Sequence, residues 1–148
     1  MARALLVLNG PNLNLLSQRE PDTYGHEKLP DLEARWRQHG ADLGFDVNCL
    51  QSNHEGVLVD ALQEAGAAGT PIVFNPGAYS HTSIALRDAI VGAQAHVIEV
   101  HISNVHARER FRHFSYVSAV AIGVIAGLGT IGYELAINAH HTYLTRTQ

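Results

Sequence analysis

The chain has 148 residues, 46% of them hydrophobic and only 16% charged, with a formal net charge of −4 at pH 7. That length suits one domain spanning residues 1–148 and large enough to bury most of its apolar surface. The mild acidity gives no support to nucleic-acid or anionic-membrane binding, and a charged fraction well below the usual ~25% points to surface hidden in an oligomer.

Cys49 is the only cysteine, so no internal disulfide or cysteine metal cluster can form. It lies in an apolar run and reads as core rather than nucleophile. The apolar run Ala4-Leu-Leu-Val-Leu8 is too short for a signal-peptide core. No segment reaches the length of a membrane span. Both point to a cytoplasmic protein.

Five apolar runs recur, each followed by turn residues. They predict strands over Ala4–Leu8, Asp46–Gln51, Ile72–Asn75, Val97–His101 and Ala119–Ala126. Between them, apolar residues at helical spacing predict helices over Leu29–Leu43, His54–Ala65, Ser80–Val91 and Ile131–His141. Ser52-Asn-His-Glu55 has the form of a capping box for the second helix. Strands alternating with helices predict a flavodoxin-like, doubly wound α/β fold. Its five-stranded parallel sheet carries helices on both faces. Ligands in such folds sit at the carboxyl ends of the strands. Polar residues gather at three of those ends: Asn9-Gly-Pro-Asn12, Asn75-Pro-Gly-Ala-Tyr-Ser-His81, and His101 with Ser103.

The fourth strand carries the strongest chemical signal. It ends Glu99-Val-His101, and alternation puts the carboxylate and the imidazole on one face. Arg108 and Arg112 follow closely. The segment offers a titratable group, a carboxylate to orient it and fixed cations, which suits proton transfer on an anionic substrate. A core strand ending in a satisfied histidine is the plainer alternative.

A long connection, residues 12–25, precedes the first helix and holds Arg19 and Tyr24. Loops of this length in compact domains are often active-site lids. Ionising a tyrosine at pH 7 costs roughly 4 kcal/mol, which neighbouring arginines in a water-shielded site can offset. Read alone, the loop is better explained as an exposed surface connection. Gly127-Leu-Gly129-Thr-Ile-Gly132 matches a dinucleotide fingerprint, but only 16 residues follow, too few for the next strand and its acidic residue. Glycines of a tight strand-to-helix turn explain it better. His81, Glu99, His101 and His106 match no metal-binding spacing, so hydrogen-bonding or acid roles are expected. His140 and His141 read as structural, near a helix end where a cation is favoured.

Taken together, Asn9–Leu16, Arg19-Glu-Pro with Tyr24-Gly25, Ser52–Gly56, Asn75–Asp88, Glu99–Arg108 and Gly123–Gly129 closely resemble the type II 3-dehydroquinate dehydratases. The resemblance implies a flavodoxin-like enzyme, assembled as a dodecamer (a tetramer of trimers). It implies dehydration of 3-dehydroquinate to 3-dehydroshikimate by anti elimination through an enolate, with no metal and no cofactor. The reaction would serve aromatic amino acid biosynthesis or quinate catabolism. In this reading Tyr24 is the base, and Arg19 and Arg108 lower its pKa. Asn12 supports the enolate through a water. His101, oriented by Glu99, protonates the departing hydroxyl. Asn75 and the backbone of Ile102 and Ser103 hold the substrate carboxylate. His81 and Arg112 bind ring hydroxyls, and Asp88 reaches a neighbouring subunit's site. Ser17 stands where many members carry glycine, which implies a slightly stiffer lid. The single lysine, Lys28, lies away from the strand ends and is poorly placed for imine chemistry. Two other classes remain open: a non-catalytic flavodoxin-like module and a metal-dependent hydrolase using the histidines.

Overall fold

Strands β1 (Arg3–Asn9), β2 (Phe45–Gln51), β3 (Ile72–Asn75), β4 (Val97–His101) and β5 (Gly123–Ala126) lie side by side in the order β2-β1-β3-β4-β5. Every pairing is parallel. This computed structural model describes residues 2–24 and 26–146, with Thr23 and Tyr24 described by their backbone alone. The helices are α1 (Pro21–Tyr24), a single turn, then α2 (Leu29–Asp42), α3 (Glu55–Ala68), α4 (Ile84–Gly92) and α5 (Ile131–Arg146).

The central strands are apolar on both faces because both faces are covered. Leu5, Val7, Val73, Ile98 and Val100 pack with Leu32 and Trp36 of α2 and Ala136 and Ile137 of α5. On the other face Leu8, Ile72, Phe74 and Val97 pack with Leu58 and Leu62 of α3 and Leu86 and Ile90 of α4. Cys49 packs against the first of these clusters, and burial pushes its thiol up to about 11, so it is an unreactive core residue.

The strand order reverses between β1 and β3, where Asn9 is paired in register with Asn75. A crevice at the carboxyl ends of a doubly wound sheet opens at such a reversal. The two connecting loops meet there closely. A Cβ on Gly10 would lie 2.4 Å from the Pro76 carbonyl oxygen, so only glycine fits.

Several local expectations are corrected. Ser52 does not form a capping box. Its hydroxyl accepts the N–H of His54, two residues on, and the helix begins at Glu55 with His54 as N-cap. The box requires the serine at the N-cap itself, and Glu55 is too early to reach back. Residues Gly77–His81 form a 3-10 turn, and α4 starts four residues later than predicted, at Ile84. Ser83 is its N-cap, accepting the Leu86 N–H at 3.0 Å. The fifth strand is shorter than predicted because Ser118–Val120 turns as a 3-10 segment. His140 is buried and faces the Ile72 carbonyl oxygen at 2.7 Å. Burial lowers its pKa to about 4, so it is neutral and not a cation at the helix end. No helix among the described residues is long and apolar enough to cross a membrane.

Candidate active site

A cleft of about 480 Å3, counting its open mouth, lies over the strand reversal. Asn12, Arg19, Asn75, His81, His101, Ile102, Ser103, Arg108 and Arg112 all line it. Nine of the residues singled out in the sequence thus line one cleft, although they come from four separate stretches of chain. Glu99 stands behind His101 rather than in the cleft. The Tyr24 side chain and Gly25 lie outside the described residues. Its backbone closes α1, five residues beyond Arg19. Asp88 is exposed on α4, against Gln63 and Gly92, and does not reach this cleft. Lys28 is exposed at the N-cap of α2, and it too lies off the cleft.

Each group is held by contacts that the fold supplies. Asn12 sits in left-handed backbone with φ 68°, a region asparagine tolerates. Its N–H donates to Asn53 Oδ1 at 3.0 Å. Tyr79 in turn donates its hydroxyl to the Asn53 carbonyl at 2.7 Å. Asn75 accepts the Gly77 N–H on Oδ1 and donates Nδ2 to the Tyr133 hydroxyl at 2.8 Å. That second bond uses one of its two amide protons and leaves one for a ligand. Tyr133, stacked on Trp36 with centroids 4.1 Å apart, donates to Asn9 Oδ1 at 2.6 Å. Burial raises the Tyr133 pKa and outweighs the Asn75 bond, which works against it, so the phenol stays protonated.

The two imidazoles are oriented independently. His101 Nε2 lies 2.5 Å from Glu99 Oε2, which leaves Nδ1 to a ligand. Glu99 is completely buried. Burial works to raise its pKa, but the bond to His101 and those from Ser118 and Ser115 outweigh it and hold the carboxyl below its ordinary value. Glu99 is therefore an anion set directly against the His101 imidazole. His81 turns Nδ1 to the Phe114 carbonyl oxygen at 2.7 Å, so that nitrogen carries a proton and Nε2 is left over. Burial lowers the His81 pKa; the Phe114 carbonyl works against this, and the charges of His101 and Arg112 add to it.

Cations complete the wall. Arg108 donates to Ser103 Oγ at 3.3 Å and pairs with Glu20 at 3.5 Å. Arg112 pairs with Glu109 at 3.1 Å. The loop carrying Ile102 and Ser103 is pinned by the turn after β5: Gly127 N–H donates to the His101 carbonyl and Gly129 N–H to the Ile102 carbonyl. Gly127 has φ 88° and a Cβ there would press on Asn104 Cβ at 2.9 Å. The glycines of the apparent dinucleotide fingerprint thus serve the turn, as their position suggests. Just before α2, Glu27 accepts from Arg35 at 2.5 Å and from Thr130 at 2.8 Å.

Asn53, Tyr133, Ser115, Ser118 and Glu20 escaped the sequence reading. Asn53 and Glu20 lie within recognisable motifs, but nothing local marks the others. Tyr133 sits 124 residues from Asn9 and 58 from Asn75.

Among the described residues no three His, Cys, Asp or Glu side chains gather as metal donors. His106 instead lies against His113, with centroids 5.9 Å apart. An imidazole backed by a buried carboxylate, facing arginines across a small polar cleft, defines a flavodoxin-like acid–base site for a small anionic substrate.

The comparisons give this class a family. The model described as dehydroquinase class II matches residues 3–141. A 3-dehydroquinate dehydratase of Marinomonas sp. is 60% identical over 138 residues, covering 90% of this chain and 92% of its own. A catabolic 3-dehydroquinase 2 of Aspergillus flavus is 56% identical over 134 residues, covering 90% and 89%. The crystal structure of type II dehydroquinase from Propionibacterium acnes superposes with a TM-score of 0.93 at 49% identity, covering 96% of this chain and 98% of that one. The chain belongs to the class II dehydroquinase family.

Proposed function

We propose that this chain dehydrates 3-dehydroquinate to 3-dehydroshikimate. The observation that carries the proposal is the pairing of His101 with buried Glu99 on a cleft wall shared with Arg19, Arg108, His81 and Arg112. Removing a proton beside a ketone creates an enolate, and expelling hydroxide needs an acid. The cleft offers cations for the first step and a carboxylate-backed imidazole for the second.

In this reading Tyr24 is the base, brought over the cleft by the lid. Arg19 and Arg108 on the wall favour its phenolate. The enolate oxygen is supported by Asn12 through a water. His101, with Glu99 holding Nε2, donates a proton from Nδ1 to the leaving hydroxyl. The free amide proton of Asn75 and the backbone N–H groups of Ile102 and Ser103 take the substrate carboxylate. His81 Nε2 and Arg112 take ring hydroxyls, while Glu99 stays ionised throughout. The elimination is proposed to be anti, with base and acid on opposite faces of the ring.

Asp88 on the outer face of α4 is proposed to enter a neighbouring subunit's cleft in a dodecamer, a tetramer of trimers. Exposed apolar side chains along the sheet edge, among them Val124 at 47% and Leu128 at 59%, support such hidden surface. A cytoplasmic location, with no nucleic-acid or membrane partner, fits the chain's charge. No metal and no cofactor is proposed.

The test is the ultraviolet absorbance of purified protein mixed with 3-dehydroquinate. A growing conjugated-enone signal that survives chelator and borohydride supports a metal-free elimination without an imine. Loss with borohydride alone would implicate Lys28, and loss with chelator a metal. Absence of any signal would sink the proposal.

A further inference from the structure

One short segment holds both site histidines in place. Between residues 114 and 118 the Phe114 carbonyl takes His81 Nδ1 at 2.7 Å, and two hydroxyls take Glu99. Ser115 Oγ donates to Glu99 Oε2 at 2.7 Å, and Ser118 Oγ donates to Oε1 at 2.6 Å. Glu99 has no exposed surface, so these serines and His101 stand in for its hydration shell.

We propose that Ser115 and Ser118 are positioning residues for the dehydratase. They fix the Glu99 carboxylate in its ionised form and in the plane that aims His101 at the cleft. The inference rests on the reading of His101 as the acid.

The segment is itself braced. The Tyr116 N–H donates to the Ser80 carbonyl at 2.8 Å, and Arg87 of α4 donates to the Tyr116 carbonyl at 3.2 Å. Ser115 Oγ also accepts the Val117 N–H at 3.1 Å, which sets its rotamer. Both hydroxyls therefore approach Glu99 from a rigid turn.

A hydroxyl that donates to a buried anion stabilises it selectively over its protonated form. Removing one donor weakens the ionised state of Glu99. The pH at which Glu99 takes up a proton and releases His101 then moves up, toward the limb set by protonation of the Tyr24 base. Charged or titratable groups facing the pair are His81 and Arg112 across the cleft and Arg19 and Arg108 on its wall; none is altered. A hydrogen bond to a charged group is worth enough to move a pKa by about one unit.

The experiment compares wild type with Ser115→Ala, Ser118→Ala and Ser118→Thr. Two readouts are used: the pH profile of kcat and the carboxyl resonances of 13C-labelled glutamate, assigned with Glu99→Gln. Each alanine variant should shift the Glu99 titration upward by about one unit and lower kcat most at the acid end of the profile, with KM changed less than twofold. Ser118→Thr keeps the hydroxyl and should restore the wild-type profile. A Glu99 titration unmoved in both alanine variants overturns the inference. So does a uniform loss of rate at every pH with no shift. A wild type that titrates as described but turns over no 3-dehydroquinate overturns the proposed function instead, and the two failures are read separately.

Discussion

The Tyr133 hydroxyl accepts a hydrogen bond from Asn75 Nδ2 at 2.8 Å and so sets which way the Asn75 amide faces at the cleft. The same hydroxyl donates to Asn9, whose Nδ2 is buried and has no partner among the described residues. One phenol therefore fixes the amide at the point where the strand order reverses. Tyr133→Phe leaves Asn9 Oδ1 and one Asn75 amide proton unpaired in the interior. The expected cost is about 1–3 kcal/mol of stability. Freed to rotate, Asn75 should raise KM several-fold while kcat changes little. Denaturant unfolding and steady-state kinetics check both, and an unchanged KM would remove Asn75 from carboxylate binding.

Tyr24→Phe removes the hydroxyl proposed as the base. Turnover should fall by about 100- to 10,000-fold, the range ascribed to a positioned general base. Binding of a competitive ligand, followed by calorimetry, should be nearly unchanged. Wild-type turnover in this variant would disprove the assigned base.

His140 makes acid sensitivity a property of the core. Its folded pKa of about 4 lies below the ordinary 6.5 because burial penalises the imidazolium. As pH falls, the unfolded chain takes up this proton first. The associated stability is complete above about pH 6.5 and is lost as pH drops toward about 4, to a total of about 3 kcal/mol. Glu99, whose pKa is also lowered, contributes in a separate window below the ordinary carboxylate range. His140→Gln should flatten the stability profile between pH 6.5 and 4.5. A slope identical to wild type there would show that another group carries it.

Gly10→Ala tests the contact between the two cleft loops. The new methyl would lie 2.4 Å from the Pro76 carbonyl oxygen, against backbone that cannot turn aside. Overpacking of this kind costs about 1–3 kcal/mol, occasionally more. The loops carrying Asn12 and Asn75 must then separate, so kcat/KM should fall more than the stability loss alone explains. Retained activity with unchanged melting temperature would mean the loops are freer than their contact implies.

Much of the fold could be read from the chain because it is written in local periodicity. Five apolar runs separated by amphipathic helices leave few arrangements other than a doubly wound parallel sheet. Boundaries were less legible where side chains, not periodicity, decided them. Ser83 rather than Ser80 caps α4, and Ser52 closes a local turn instead of a capping box. Both serines sit in sequences that allow either role, and only the neighbouring backbone selects one.

The site divides the same way. Glu99 and His101 are two positions apart on one strand, so alternation alone puts them together, and the structure has them 2.5 Å apart. That Arg19 stands on a long connection before the first long helix was legible from loop length and breaker residues. The groups that tune the site were not. Ser115 and Ser118 lie 16 and 19 residues from Glu99 in an ordinary polar turn, and Tyr133 lies on the last helix. The sequence by itself determined which residue types stand at the ends of which strands, because strand period and turn chemistry act over a few residues. Only the tertiary structure decided which of them share a cleft, which are buried and what holds them. Those outcomes depend on strand order and helix packing, which bring together residues separated by a hundred positions or more.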